Sequence, residues 1–211
     1  MSFPEMKTLA AILLLGLASP QPGASQALPP LTRPAYRVQE SCDYADDRAA
    51  RARWDANPGS EPVSSVTAGS RQVVAMSCPF KQKPAGQRFS WDKAISLNLA
   101  RCSGLQFRFY CSDSSPVSGF SFYIHSGDGW YAAKFEHATP SAWSTIRIEK
   151  ADTTIEGHPA GWEKIDEIRI SAWRGGSTDT AFYVADIGPI DCDSPVALVR
   201  AESLVAGKER H

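Results

Sequence analysis

The run from Tyr123 to Asp186 constrains the fold more than any other stretch. Apolar and polar residues alternate along it, and Gly, Pro, Asp and Ser interrupt it at short intervals. A period of two sends successive side chains to opposite faces, as a half-buried strand requires and a helix does not. Tyr131, Ala133 and Phe135 alternate with Trp130 and Lys134. Ile146 and Ile148 alternate with Arg147, and Ile168, Ile170 and Ala172 alternate with Arg169, Ser171 and Trp173. Gly127-Asp128-Gly129 reads as the turn of a hairpin between two such strands.

The same period runs upstream and to the end of the stretch. Leu105, Phe107, Phe109 and Cys111 alternate with Gln106, Arg108 and Tyr110, and Phe120, Phe122 and Ile124 with Ser121, Tyr123 and His125. Arg71–Ser77 and Ala181–Ile187 read as strands, Phe89–Leu99 as another, and Tyr36–Ser41 as the first. The polar stretch 42–70 reads as loop with a short strand near Arg53–Ala56 and a turn at Asn57-Pro58-Gly59. Residues 81–86 read as loop. About ten short strands with turns between them, and no sustained helical period, predict an all-β chain. The expected architecture is a two-sheet antiparallel jelly-roll β-sandwich.

The ends are of a different kind. Lys7 precedes an apolar run, Leu9–Leu17, too short to span a bilayer. Ser25-Gln26-Ala27 then offers small residues where a signal peptidase reads, so residues 1–27 are expected to be a signal peptide. Residues 28–35 (LPPLTRPA) read as a proline-rich lead-in with no core-forming pattern. The sandwich is expected over 36–190, and 191–211 as a linker or the start of a further domain. No later segment is apolar enough for a membrane span. A formal net charge of −1 argues against a nucleic-acid partner, which favours a clearly basic face. The expected location is secreted, periplasmic or at the cell surface.

Export bears on the five cysteines, since an oxidising compartment allows pairing. Cys102 and Cys111 flank one predicted strand, about 30 Å apart if extended, and cannot bond to each other. Two bridges and one free thiol are the maximum, with the connectivity open. Burial as small apolar side chains is the alternative.

Placing the aliphatic residues inward sends Gln106, Arg108, Tyr110, Tyr123, His125, Trp130, Lys134, Arg147, Arg169 and Trp173 outward. Such a face ordinarily carries Thr, Ser, Lys and Glu; here it carries rings and guanidinium groups. Flat rings stack on the apolar faces of sugars, and Arg, Gln and His bond the hydroxyls. An aromatic patch rimmed by polar groups marks a binding surface. The competing reading is that loops 42–70 or 81–90 cover these residues. Trp143 and Trp162, each ahead of an Ile-rich strand, are assigned to the ends of the core. Trp54 and Trp91 are left open. Glu40 and Asp186, in the first and last strands, are candidate ligands for a hard cation such as calcium. No GxSxG, HExxH or Gly-rich phosphate loop is present. The carboxylates between Glu149 and Asp166 single out no pair such as a glycosidase holds about 5–10 Å apart.

Several of these motifs resemble one group. VQES at Val38–Ser41, the strand start at Gly69–Val74, SGDGWYAAKF at Ser126–Phe135, WSTIRI at Trp143–Ile148 and FYVADI at Phe182–Ile187 are similar to galactose-binding-domain-like β-sandwiches. That jelly-roll group includes many carbohydrate-binding modules of secreted bacterial glycoside hydrolases. The resemblance covers roughly residues 36–190. It implies a structural calcium between first and last strands, at Glu40 and Asp186, and a sugar site at Tyr123, His125, Trp130, Arg169 and Trp173. It implies non-catalytic binding of a polysaccharide or oligosaccharide, with a possible C-terminal catalytic domain beyond. An extracellular protein-interaction domain is the alternative, and a glycoside hydrolase in its own right the third reading.

Overall fold

The alternating segments form two antiparallel sheets of five strands each. This computed structural model describes residues 27–83, 87–137, 139 and 142–192. Residues 1–26 of the expected signal peptide and the tail from 193 onward lie outside the described residues. The first sheet runs, edge to edge, β1 (Asp55–Ala56), β4 (Arg88–Leu97), β9 (Ile165–Arg174), β6 (Val117–Phe135) and β8 (Thr154–Pro159). The second runs β2 (Ser64–Ala68), β3 (Arg71–Cys78), β10 (Thr180–Ile190), β5 (Gly104–Cys111) and β7 (Ser144–Glu149).

β6 doubles back on itself. Extended, Phe120 and Phe135 would stand about 50 Å apart, yet their rings stack with centroids 5.5 Å apart, and His125 lies 4.4 Å from Trp130. The outgoing arm pairs with β9 and the returning arm with β8. The fold-back is at Gly127 (φ 62°), as the Gly-Asp-Gly motif predicts. A side chain on Gly129 would strike the backbone at His158 and Pro159, so β8 can pair there only against glycine.

Between the sheets, Phe107 stacks on Phe122 (4.8 Å) and Phe109 on Phe182 (5.4 Å). Burying each such ring contributes roughly 1.5–3 kcal/mol. Trp54 and Trp91 are both core residues, and Trp91 Nε1 donates to the Glu61 carbonyl at 2.7 Å. One disulfide, Cys102–Cys192, joins the loop before β5 to the residues after β10 across 90 positions. Closing a loop that long contributes on the order of 4–5 kcal/mol in the chain-entropy account. Cys42, Cys78 and Cys111 are buried free thiols, so both sequence readings of the cysteines are realised.

Four features differ from the sequence reading. Tyr36–Ser41 makes no full strand: Glu40 alone bridges to Ile187, because the Gln39 and Glu40 amides both donate to the Ile187 carbonyl. The stretch 42–70 holds a short helix, α1 (Asp47–Arg51), capped by Asp46, whose Oδ1 accepts from the Ala49 amide at 2.7 Å. That stretch also supplies β2. Residues 28–31 are no free lead-in, as Leu28 and Leu31 pack on Ala68, Val73 and Ala185 of the second sheet's outer face. Trp143 joins them there, its Nε1 donating to the Pro29 carbonyl at 2.8 Å, rather than closing an end of the core. Trp162 does pack against the core, stacked on Tyr131 at 3.9 Å.

Candidate functional site

The outer face of the first sheet is assembled by register. Arg88, Trp173 and Gly119 lie side by side across β4, β9 and β6. The next outward row is Ser90, Ser171 and Ser121, then Asp92, Arg169 and Tyr123, then Ala94, Glu167 and His125. The row of serines is a floor. Ser90 and Ser171 share a hydroxyl bond of 2.8 Å, and all three serines are at most 4% exposed. Larger side chains rise on either side.

On one side stands a cluster around Trp130. Its ring lies 4.4 Å from His125, 6.1 Å from Tyr123 and 4.7 Å from the Arg169 guanidinium carbon. Arg169 cannot swing away. Asp92 accepts from its Nε and Nη2 in a fork at 2.5 and 2.6 Å, and Asp92 also accepts from Asn57 Nδ2 at 3.0 Å. The Asp92 hydrogen bonds raise the Arg169 pKa further, so the guanidinium stays charged against the ring. His125 Nδ1 meets Asp166 at 2.6 Å. Burial, and then the neighbouring Asp92 charge, raise the Glu167 carboxyl above the ordinary carboxylate range.

On the other side stands Trp173, 36% exposed, its Nε1 donating to Ser121 Oγ at 2.9 Å. The Arg88 guanidinium sits 5.0 Å from the ring centroid. A hollow of about 270 Å³ opens between Trp173, Ser118, Ser121 and Lys134. Arg88 does not line it, so Arg88 backs the ring from the far side. A second hollow of about 350 Å³ runs on over Ser121, Ala132, Lys134, Thr154, Glu156 and Asp152. The two share Ser121 and Lys134 and form one trough that crosses the strands from β9 to β8.

Tyr123, His125, Trp130, Arg169 and Trp173 therefore all occupy one outer face. Tyr123 is only 9% exposed and supports Trp130 from below rather than offering its own ring. Gln106, Arg108, Tyr110 and Arg147 stand on the other sheet, since β5 and β7 belong there. The outward set is thus two faces back to back and not one. The loop 57–61 borders β4 at its edge, where Ser60 Oγ accepts from the Ser90 amide at 2.8 Å, and leaves Trp130 and Trp173 open. Sequence reasoning missed Arg88, Asp92 and Ser121. Their common signal is pairing: each lies across from, or bonds to, a residue already singled out.

The backbones that carry Glu40 and Asp186 do run side by side, the Ile187 amide donating to the Glu40 carbonyl at 2.7 Å and the Asp186 amide to the Ser41 carbonyl at 3.2 Å. Their carboxylates are already engaged. Lys93 Nζ lies 3.0 Å from Glu40 Oε2, and Glu40 Oε1 accepts from the Cys42 amide (2.8 Å) and the Tyr44 hydroxyl (3.2 Å). Arg71 grips Asp186 by two N–H groups at 2.7 and 2.5 Å. Calcium takes six to eight oxygen ligands, typically several of them anionic. Among the described residues no group of three or more His, Cys, Asp or Glu is placed to hold a metal. The donor set as arranged does not fit calcium.

The sequence matches no family model and no curated protein. Solved structures do match. A family 11 carbohydrate-binding module from Clostridium thermocellum, in complex with a β-1,3-1,4-mixed-linked tetrasaccharide, superposes with a TM-score of 0.52. It is 13% identical, over 71% of this chain and 95% of that one. The chain shares the β-sandwich fold of these modules. The family 11 module of the cellulosomal cellulase Lic26A-Cel5E of Clostridium thermocellum gives 0.50 at 15% identity, over 74% of this chain and 97% of that one. A family 28 module specific for non-crystalline cellulose gives 0.50 at 12% identity, over 78% and 98%. Among the described residues no helix is long and apolar enough to cross a membrane.

Proposed function

We propose that the protein binds carbohydrate without transforming it, and that a polysaccharide lies along the trough between Trp173 and the Trp130 cluster. One observation carries this reading. Of two outer faces rich in aromatic residues, the first sheet's is open and its rings are pre-set. Trp130 is held by His125, Tyr123 and Arg169; Trp173 is held by Ser121 and Arg88. A ring fixed before binding loses little freedom when a sugar stacks on it. Trp173 is level with Gly119, and Trp130 with Tyr123 and His125. Four to six positions along a strand are roughly 13–20 Å, room for more than one sugar ring. Lys134, Ser121, Thr154 and Glu156 line the trough with groups that bond hydroxyls.

Such contacts are individually weak and act through tethering. In this reading residues 1–27 export the chain, and residues 191–211, a linker or the start of a further domain, would tether a partner held at the polysaccharide at raised effective concentration. The structural neighbours' ligands choose the first probes, mixed-linkage β-glucan and non-crystalline cellulose. Native gel electrophoresis with each polysaccharide cast into the gel should retard the protein on at least one. A protein that runs unretarded on a broad set of plant, algal and bacterial polysaccharides would remove this reading.

A further inference from the structure

The junction of the first and last segments has a chemistry of its own, independent of the carbohydrate reading. We infer that the chain's own cations close this junction, and that the sandwich folds and holds without a divalent metal. Lys93 sits on β4 at the parity of Phe89 and Trp91, so it points into the sandwich and is only 3% exposed. An ammonium in that place needs a fixed partner, and Glu40 is that partner at 3.0 Å. The rings of Trp54 and Tyr44 stand 5.8 and 5.9 Å from the ammonium, a cation–π setting that further holds it.

The second carboxylate repeats the arrangement. Asp186 is 1% exposed and sits in a bulge of β10 with φ 52°, a left-handed conformation that disfavours a residue with a side chain. Arg71 from β3 meets it as a two-pronged fork, and the Tyr36 hydroxyl donates to its carbonyl at 2.7 Å. Each of the two carboxylates thus meets a cation that is a covalent part of a strand, and Arg71 Nε also lies 3.8 Å from the more exposed Asp43 carboxylate. A divalent ion placed on either carboxylate would have to oppose or displace the cation already seated there. A strand-borne cation, unlike a bound ion, cannot be removed by a chelator.

The test uses the full chain, purified without added metal. Elemental analysis should find less than stoichiometric calcium, and thermal melts in EDTA and in excess calcium should coincide. Lys93→Met and Arg71→Met should each melt well below the wild type, equally in both buffers. One equivalent of calcium carried through purification, or a wild-type melt that falls on chelation, would overturn the inference. So would a Lys93→Met variant as stable as the parent. If either variant does not fold, the wild-type metal content and paired melts still decide the matter.

Discussion

The two outer faces of the sandwich are built from the same kind of residue and end in opposite states. Tyr110, Tyr183 and Trp143 cluster on the second sheet, with rings 5.6–5.8 Å apart, much as Trp130, Tyr123 and His125 cluster on the first. On the second sheet residues 28–31 lie across the face, and Leu31 is left 5% exposed. On the first sheet Trp173 stays 36% exposed and Trp130 half-buried, and the hollow of about 270 Å³ opens beside Trp173. The difference teaches that alternation tells which side chains leave the core but not whether a distant segment returns to cover them. Aromatic residues under a strap are core; the same residues without one are available to a guest.

The largest expected effect falls on the covered face. Leu31→Ala should cost about 2–4 kcal/mol, as for other buried leucines, and Trp143→Ala a similar amount, read from chemical denaturation. Neither should alter polysaccharide retention at temperatures where the fold persists. A small loss would mean that the strap merely rests on the sheet, and the two faces would then be alike.

Next comes Arg169→Ala on the open face. It strips the fork from Asp92, whose side chain is only 16% exposed, and should cost about 1–3 kcal/mol as an unpaired charge. It also frees Trp130 from its cation. Binding should therefore weaken by more than stability alone explains, measured by calorimetry well below the melting temperature. Arg169→Lys keeps the charge but not the fork and should recover little.

The smallest effect concerns His137, at the edge of the second sheet. Its Nε2 accepts from the Cys111 amide at 3.3 Å, and its ring lies 5.1 Å from Phe109. Burial holds its pKa below the ordinary histidine value. The unfolded chain therefore takes up this proton first, near pH 6.5. The stability is complete above that pH and is lost progressively as pH falls from there through the lower folded value. Melts at successive pH values should show this decline, and His137→Gln should flatten it. Retention at the open face should not follow the same curve.

Much of the fold was legible because the inner strands obey strict alternation. The Phe107/Phe109, Phe120/Phe122/Ile124 and Ile168/Ile170 sets all face the core as the pattern predicts. What escaped reading lacks that signal. β8 is an exposed edge strand whose residues bury almost nothing, so its sequence carries no period, and Ile155 on it is 65% exposed. β2 and α1 lie in a polar stretch and are fixed by their partners and by the Asp46 cap. Lys93 broke the rule outright, a charge on an inward position, and only the arrival of Glu40 from over fifty residues upstream explains it. The five predicted site residues share a face because β6 and β9 are neighbours, a fact of topology that alternation does not encode. The same ignorance of topology merged Arg108 and Tyr110 into that face.

The most direct measurement is retention of the full chain on a bound polysaccharide beside Trp130→Ala and Trp173→Ala, with the thermal melt of each protein recorded in the same buffer. The expected result is a retarded parent and two freely migrating variants, with melts moved by no more than a few degrees. Variants retained as strongly as the parent, or variants that lose their melt altogether, would show that the open face is not where carbohydrate is held.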